Sequence, residues 1–184
     1  MAHHKANIRI AAAAQRAYLE KTHQTDTECV RIYTDASYNN QKKIGAIAYI
    51  IIDGQHKTVE EYTESFCGRT NSTYLELLAV RNALSAAQTR FTNKEYVVIS
   101  DCKSVVDSIN QKTSFKKKMT NFQEVVAEIQ RDYTVKCEFT RAHTHRHTSD
   151  SEHNRRVDMM ARREMKKEAR RYQAKKKQHD SLML

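Results

Sequence analysis

The stretch CVRIYTDASY, residues 29–38, carries a carboxylate at the end of a β-type run. Residues 30–34 are rich in β-branched and aromatic side chains, which favour a strand. Asp35 follows directly, so we expect it at the end of that strand. An aspartate in such a position ordinarily accepts turn hydrogen bonds, and Asp35 alone therefore indicates no chemistry. Its significance depends on the carboxylates that follow it in the chain.

The rest of the sequence predicts a mixed order of strands and helices around this first strand. Residues 44–52 (IGAIAYIII) are apolar nearly throughout, which indicates a strand covered on both faces. Hydrophobic periods of two or of 3.6 residues mark the other elements. Strands are expected at 30–34, 44–52, 57–66, 96–100 and 134–140, and helices at 73–90, 101–110, around 122–129 and from 153 to about 177. This order predicts an α/β fold with a mixed sheet flanked by helices.

The composition is that of one globular domain with short extensions. With 184 residues, 39% of them apolar, the chain can bury a proper core. No apolar run approaches the ~18 residues of a membrane span, and the N-terminus lacks the apolar segment of a secretory signal. The four cysteines show no CxxC spacing, so neither a zinc ribbon nor a disulfide framework is expected. These features predict reduced thiols, a cytoplasmic location and no membrane partner.

The positive charge is concentrated near the C-terminus. Residues 153–179 contain eleven Lys/Arg and three Asp/Glu, which accounts for +8 of the net charge of +10. A dense basic segment is typical of a surface that binds a polyanion. The alternative is a solvated helix face that only aids solubility.

Three further carboxylates follow Asp35 on separate elements, namely Glu76, Asp101 and Asp158. Glu76 heads an apolar stripe of its helix, although a capping box with Thr73 explains its position equally well. A carboxylate at the head of a buried stripe needs a compensating partner, and a metal ion supplies one. Asp101 ends a strand, where open α/β sheets place their ligands, although capping the next helix is a sufficient role.

Asp158 lies on the inward stripe of an otherwise basic helix. It precedes Ala161, Met165 and Ala169 by 3, 7 and 11 residues, a spacing that places all four on one face. A first-turn carboxylate favoured by the helix dipole explains the sequence position of Asp158 but not its face. We therefore interpret the four carboxylates together, as ligands of divalent metal ions.

In order and spacing, these segments resemble the ribonuclease H type 1 family. The matching segments are IYTDAS with Gly45 in the following strand, YLELLAV…AL around Glu76, VVISDCKSVVDSI around Asp101, and RAH…HNRRVDMMAR around Asp158. The resemblance covers residues 30–165. It implies a ribonuclease H-like fold, in which a mixed five-stranded sheet of three antiparallel and then two parallel strands is flanked by helices.

The resemblance also implies a metal-dependent endonuclease that hydrolyses the RNA strand of RNA–DNA hybrids. In the family, four acidic residues bind two Mg²⁺ or Mn²⁺ ions, which would assign Asp35 to both ions, Glu76 and Asp101 to one, and Asp158 to the other. Two ions about 4 Å apart can activate the attacking water and stabilise the leaving 3′ oxygen. Mg²⁺ favours such hard oxygen ligands. We expect a monomer.

We divide the chain into three parts. An N-terminal extension covers residues 1–28, whose composition is consistent with a helix or equally with a frayed tail, and a ribonuclease H-like catalytic domain covers residues 29–165. A basic C-terminal helical tail covers residues 166–184.

The family places one flexible histidine before its last helix, where it assists proton transfer or product release. The pattern Arg141-Ala142-His143 matches, so His143 is the candidate, with His145 and His147 as rivals. The alternating histidines are also consistent with a transition-metal site, or with a solvent loop that contacts phosphate when protonated.

Several polar and basic residues are candidates for contact with the nucleic acid. They are Asn71, Ser72, Lys116, Lys117, Lys118 and Asn154. The Thr70-Asn71 pair lies one residue farther from Glu76 than in the common family form, so its register is open. The three lysines stand where bacterial members carry a longer, Trp-rich basic extension, and this chain has no tryptophan. We expect the basic helix of residues 162–177 to take over phosphate binding.

Two functions of other classes stay open at this point. One is a DNA nuclease or integrase-like enzyme, since a fold does not determine the substrate. The other is a nucleic-acid-binding module without catalysis. The histidine loop and the Asn154…Asp158 helix favour a ribonuclease H over the first, and the complete set of carboxylates argues against the second.

Overall fold

The computed structural model describes residues 29–92, 94–141 and 149–182. Within these ranges the chain forms five strands and four helices in the predicted order. The strands are β1 (Cys29–Asn39), β2 (Ile44–Ile52), β3 (Thr58–Cys67), β4 (Glu95–Ser100) and β5 (Val135–Phe139). The helices are α1 (Ser72–Arg90), α2 (Lys103–Ile109), α3 (Thr120–Asp132) and α4 (Ser149–Leu182). The extension predicted at residues 1–28 lies outside the described residues.

The five strands form one sheet in the order β3-β2-β1-β4-β5. β1 pairs antiparallel with β2, and β2 pairs antiparallel with β3. β4 pairs parallel with β1, and β5 pairs parallel with β4. The prediction of three antiparallel strands followed by two parallel ones is confirmed, and β1 occupies the centre of the sheet.

Helices cover both faces of this sheet. On one face, Val30 and Ile32 of β1 belong to a core shared with α1, α2 and α3. On the other face, Tyr33 packs with Val157 and Ala161 of α4. All nine residues of β2 are buried between these layers, because a strand covered on both faces has no side turned to solvent.

Asp35 lies inside β1 and not at its end, so the predicted strand boundary is wrong. The parallel pairing of β1 with β4 stops at Tyr33 and Ile99, whereas the antiparallel pairing with β2 continues to Asn39 and Ile44. The physical reason is that β2 is long enough to hold residues 36–39 in the sheet. Asp35 therefore lies two residues beyond the last parallel pair, at the carboxyl edge of β1 and β4.

The starts of α1 and α2 differ from the capping roles considered for the carboxylates. α1 begins at Ser72, and the side chain of Asn71 caps it by accepting from the backbone N–H of Tyr74 at 2.8 Å. A capping box from Thr73 to Glu76 is therefore wrong, because Thr73 already lies inside the helix. In α2 the N-cap position is Cys102, so Asp101 does not cap that helix either.

α4 is longer at both ends than predicted. It begins at Ser149, four residues before the expected start, and ends at Leu182. The helix crosses the predicted boundary between the catalytic domain and the basic tail without a break, and the position of that boundary stays a prediction. Along the described ranges, no helix is both long enough and apolar enough to cross a membrane.

Gly45 of β2 lies directly against the start of α1. A Cβ atom on Gly45 would overlap Cδ1 of Leu75 and would lie 3.2 Å from the carbonyl oxygen of Ser37. Leu75 is only 1% exposed, so its side chain has little room to move away. The close approach at Gly45 thus helps to set the position of α1, and Glu76 is the residue that follows Leu75.

We expect Gly45→Ala to lower the free energy of unfolding by about 1–3 kcal/mol, because the added methyl group overpacks the contact with Leu75. Urea denaturation of the purified variant measures this loss. The matched test is a double-mutant cycle with Leu75→Ala, in which the double variant should lose less stability than the sum of the single variants. Strictly additive losses would show that Leu75 is not the obstacle.

Candidate active site

Asp35, Glu76 and Asp101 come together at the carboxyl edge of the parallel strands. One carboxylate oxygen of each residue lies within 4.8 Å of the other two. Asp101 directly follows β4, which runs parallel to β1, so the two strands deliver their carboxylates to the same edge. Glu76 reaches this point from the second turn of α1. Asp35 and Glu76 are each 6% exposed, so the cluster lies largely out of solvent.

The carboxylates of this cluster oppose one another's ionisation. Burial, followed by the charges of Asp101 and Asp158, raises the pKa of Asp35 to about 8. Burial, followed by the charge of Asp35, raises the pKa of Glu76 well above its ordinary value. One oxygen of Asp35 lies within 4.8 Å of one oxygen of Glu76. Because the pKa values of both groups are raised, the pair holds a proton near neutral pH when no cation is bound.

The cluster fits a hard divalent cation. All three side chains offer oxygen, the ligand atom that Mg²⁺ and Mn²⁺ favour. Oε2 of Glu76 is buried, and no described protein atom hydrogen-bonds to it. Such an atom costs free energy unless a cation or a water meets it. The backbone N–H of Ala36 donates to Oδ1 of Asp35 at 2.7 Å, which orients that carboxylate.

Asp158 lies beside this cluster but does not belong to the compact group of three. It comes from α4, on the opposite face of the sheet from α1, and its charge is close enough to raise the pKa of Asp35. Its side chain is 20% exposed, and its Oδ1 accepts from Nε of Arg162 at 2.6 Å. The structure thus brings three predicted carboxylates together and places the fourth next to them, paired with an arginine.

A second polar cluster near the start of α4 was not predicted from the sequence. Nη2 of Arg31 contacts both carboxylate oxygens of Asp150, at 3.0 and 3.1 Å. The hydroxyl of Tyr33 also donates to Asp150, and its ring centroid lies 4.9 Å from that of His153. Burial, followed by the hydrogen bond to Asp150, raises the pKa of Tyr33, so its hydroxyl keeps the proton that it donates.

This cluster, which we call the Asp150 clamp, joins β1 to the first turn of α4. The clamp consists of Arg31, Tyr33 and Asp150, and it holds the first turn of α4 against β1. Asp158 follows Asp150 by two helical turns, so the clamp contributes to the position of Asp158 beside Asp35. The only sequence signal for it is the alternation of Arg31 and Tyr33 on one strand face, because Asp150 is 119 residues away from Arg31.

Asn154 is buried one helical turn before Asp158. It is 6% exposed, and its Oδ1 has no hydrogen-bond partner among the described protein atoms. Asn71 and Ser72 are exposed at the start of α1, and Oδ1 of Asn71 is occupied by the cap described above. Contact of these three residues with a nucleic acid stays a prediction.

The remaining predicted site residues lie away from the carboxylates or outside the described ranges. Lys116, Lys117 and Lys118 are exposed in the connector between α2 and α3. Residues 111–115 of the same connector border a cavity of about 640 Å³ together with residues of α3. The candidate His143 and its rivals His145 and His147 lie outside the described residues, so the assignment of one of them stays a prediction.

The fold agrees with solved structures of low sequence identity. RNase H1 from the halophilic archaeon Halobacterium salinarum NRC-1 is 17% identical, with a TM-score of 0.59 over 73% of this chain and 95% of that one. The N-terminal RNase H domain of a Mycobacterium tuberculosis protein is 16% identical, with a TM-score of 0.64 over 78% and 98%. LC11-RNase H1, isolated from compost, is 18% identical in its complex with an RNA/DNA hybrid, with a TM-score of 0.63 over 76% and 99%.

The sequence itself matches the family model described as RNase H over residues 27–166. No curated protein matches the chain. The family match spans β1 to the middle of α4 and includes all four predicted carboxylates. Together with the five-stranded sheet, it confirms both the resemblance and the predicted fold, and the chain belongs to the RNase H family and is a ribonuclease H.

Proposed function

We propose that the chain is a metal-dependent endonuclease that hydrolyses the RNA strand of RNA–DNA hybrids. The observation that carries this proposal is the convergence of Asp35, Glu76 and Asp101 within 4.8 Å, with Asp158 beside them. The hybrid as substrate is supported by family membership and by the complex of LC11-RNase H1 with an RNA/DNA hybrid.

Asp35, Glu76, Asp101 and Asp158 would hold two Mg²⁺ ions, with Mn²⁺ as a substitute. Bound there, the ions would activate the attacking water and stabilise the leaving 3′ oxygen. The cluster supports this choice because its ligands are all oxygens and repel one another without a cation. Asp35 would contact both ions, since it lies between Glu76 of α1 and Asp158 of α4.

The chain's own residues would orient these carboxylates and the substrate. The backbone N–H of Ala36 orients Asp35 by a hydrogen bond. Arg162 would keep Asp158 in place by their ion pair until metal ions bind. His143, with His145 and His147 as rivals, would move a proton or assist product release.

Contacts to the hybrid would come from both sides of the carboxylate cluster. The residues proposed for them are Asn71, Ser72, Asn154 and the three lysines at 116–118. Recognition would rest on duplex shape and 2′-OH groups, so little sequence specificity is expected. The enzyme would act as a monomer. We also propose a reducing compartment such as the cytoplasm, because the four cysteines show no CxxC spacing and the chain is long enough to need no disulfide framework.

We expect Mg²⁺-dependent cleavage of RNA–DNA hybrid, lost at least about 100-fold in kcat in Asp35→Asn and in Asp101→Asn. The reason is that even residues behind metal ligands change activity about 10- to 100-fold, so a ligand itself should matter more. Asp132→Asn is the matched control, because Asp132 is an exposed carboxylate at the end of α3 that pairs with its neighbour Arg131. The measurement is steady-state cleavage of labelled hybrid, double-stranded RNA and double-stranded DNA.

Cleavage of the hybrid, the double-stranded RNA and the double-stranded DNA distinguishes the three candidate functions. Cleavage of hybrid alone supports the proposal. Cleavage of DNA as fast as hybrid would identify a DNA nuclease or integrase-like enzyme. Binding without cleavage of any substrate would identify a non-catalytic module.

The metal-free protein should become less stable as pH rises from about 4 to about 8. Folded Asp35 keeps its proton to about pH 8, whereas an unfolded aspartate releases it near pH 3.9. Between these values the folded state binds more protons, so the free energy of unfolding falls with pH. Mg²⁺ favours the deprotonated carboxylates, so its stabilisation should grow over the same range.

Thermal denaturation in Mg²⁺ and in chelator, at about pH 5.5 and about pH 8, measures this effect. Glu76→Gln is the informative variant, because it keeps the shape of the side chain and removes one repelling charge. It should raise Tm in chelator at the higher pH and remove most of the gain from Mg²⁺. An equal rise of Tm with Mg²⁺ at both pH values would contradict the predicted coupling.

A further inference from the structure

α4 runs alongside β1 towards the active-site edge and then continues past it. The helix begins at the Asp150 clamp and passes the carboxylate cluster at Asp158. It then meets the end of β3, where Sγ of Cys67 lies 3.8 Å from Oε1 of Glu168. β3 runs in the same direction as β1, so Cys67 lies at the same edge as Asp35. The fourteen residues after Glu168 span about 21 Å beyond this edge.

From Asp158 to Glu168, each acidic residue of α4 forms an ion pair with a basic residue of the same helix. Three ion pairs join residues one turn apart, namely Asp158–Arg162, Glu164–Lys167 and Glu168–Arg171. Arg156 is paired as well, with Glu61 of β3 at its Oε1. The excess positive charge of the segment therefore resides on the other basic side chains.

Four of these side chains form one exposed stripe, which we call the basic ridge. They are Arg155, Arg163, Lys166 and Arg170. Spacings of 8, 3 and 4 residues place them on the face of α4 opposite Val157 and Ala161, which are fully buried. Within the described ranges none of the four forms an ion pair.

The basic ridge is rigidly placed relative to the carboxylates. The same helix carries the ridge and Asp158, and its inner face is held by Val157, Ala161 and Ala169, which are 0%, 0% and 6% exposed. Arg170 lies twelve residues after Asp158, or about 18 Å along the axis. That distance corresponds to about 5 base pairs of a duplex at 3.4 Å each.

The geometry points to the basic ridge as a second binding surface, which holds the backbone phosphates of the substrate duplex beside the cleaved bond. This inference rests on the proposed function for the identity of the duplex. The array is linear and exposed, which suits a chain of phosphates and not a single small anion.

The test is the triple variant Arg163→Gln, Lys166→Gln and Arg170→Gln. Glutamine keeps the helix propensity of these exposed positions, so circular dichroism should be unchanged. Each lost phosphate contact should reduce the salt slope of hybrid binding by about 0.9, measured by fluorescence anisotropy between about 50 and 200 mM salt. KM for a hybrid of about 18 base pairs should rise about tenfold or more, with kcat within about twofold of wild type.

A charge-matched control separates the ridge from net charge. Lys57→Gln, Lys94→Gln and Arg131→Gln also remove three positive charges, but these residues precede β3, β4 and β5 at the opposite edge of the sheet. This control should keep the wild-type salt slope. Hybrids that extend fewer than about 5 base pairs to either side of the cleaved bond should show a smaller loss in the ridge variant.

The outcomes for the ridge and for the proposed function are distinct. An unchanged salt slope in the ridge variant, or an equal reduction in the control, would overturn the basic ridge even if the wild type cleaves hybrid. Failure of the wild type to cleave hybrid would overturn the proposed function. The anisotropy measurement still decides the ridge in that case, because it needs binding and no cleavage.

Discussion

The parallel pairing of β1 with β4 stops at Tyr33 and Ile99, while the antiparallel pairing with β2 continues for six more residues. Because β1 continues beyond the end of β4, the sheet has a gap beside β1, where Asp35 lies on β1 and Asp101 follows the end of β4. α1 and α4 pack on the two faces of the sheet at this gap and add Glu76 and Asp158. Four segments far apart in sequence thus approach one another because β1 is longer than the neighbouring β4.

The sequence predicts most of this arrangement, and what it misses depends on tertiary contacts. The period of α1 and the apolar run of β2 are local signals that predict a mixed α/β fold, and the order of the carboxylates carries the family resemblance that implies the five-stranded sheet. The end of β1 was not, because residues 36–39 (ASYN) have little β propensity and stay in the sheet only through β2. The cap of α1 was predicted at Thr73, whereas Asn71 provides it, because several polar residues stand side by side at 70–73. The Arg31–Asp150 pair is a contact between distant segments, which no window of sequence contains.

The carboxylate cluster is electrostatically unfavourable without a cation, and the surrounding structure prevents the carboxylates from moving apart. Asp35 and Glu76 cannot move apart without disturbing β2, whose residues are all buried, or the packed start of α1. Burial, followed by the charges of the neighbouring carboxylates, raises the pKa values of both groups, and binding a proton is the remaining way to reduce the repulsion. The core therefore supplies the stability that keeps a repulsive group of ligands together, as is common for preorganised sites.

The Asp150 clamp also divides α4 into two parts that tolerate change differently. Between Asp150 and Asp158, insertion or deletion of one residue would turn the second carboxylate by about 100° around the helix axis, away from Asp35. Residues 170–175 are all exposed, and a change in helix length beyond Ala169 does not alter the angle at which Asp158 is presented. Among related sequences we therefore expect the interval from Asp150 to Asp158 to have a constant length. The part of the same helix beyond Ala169 should vary in length and in charge.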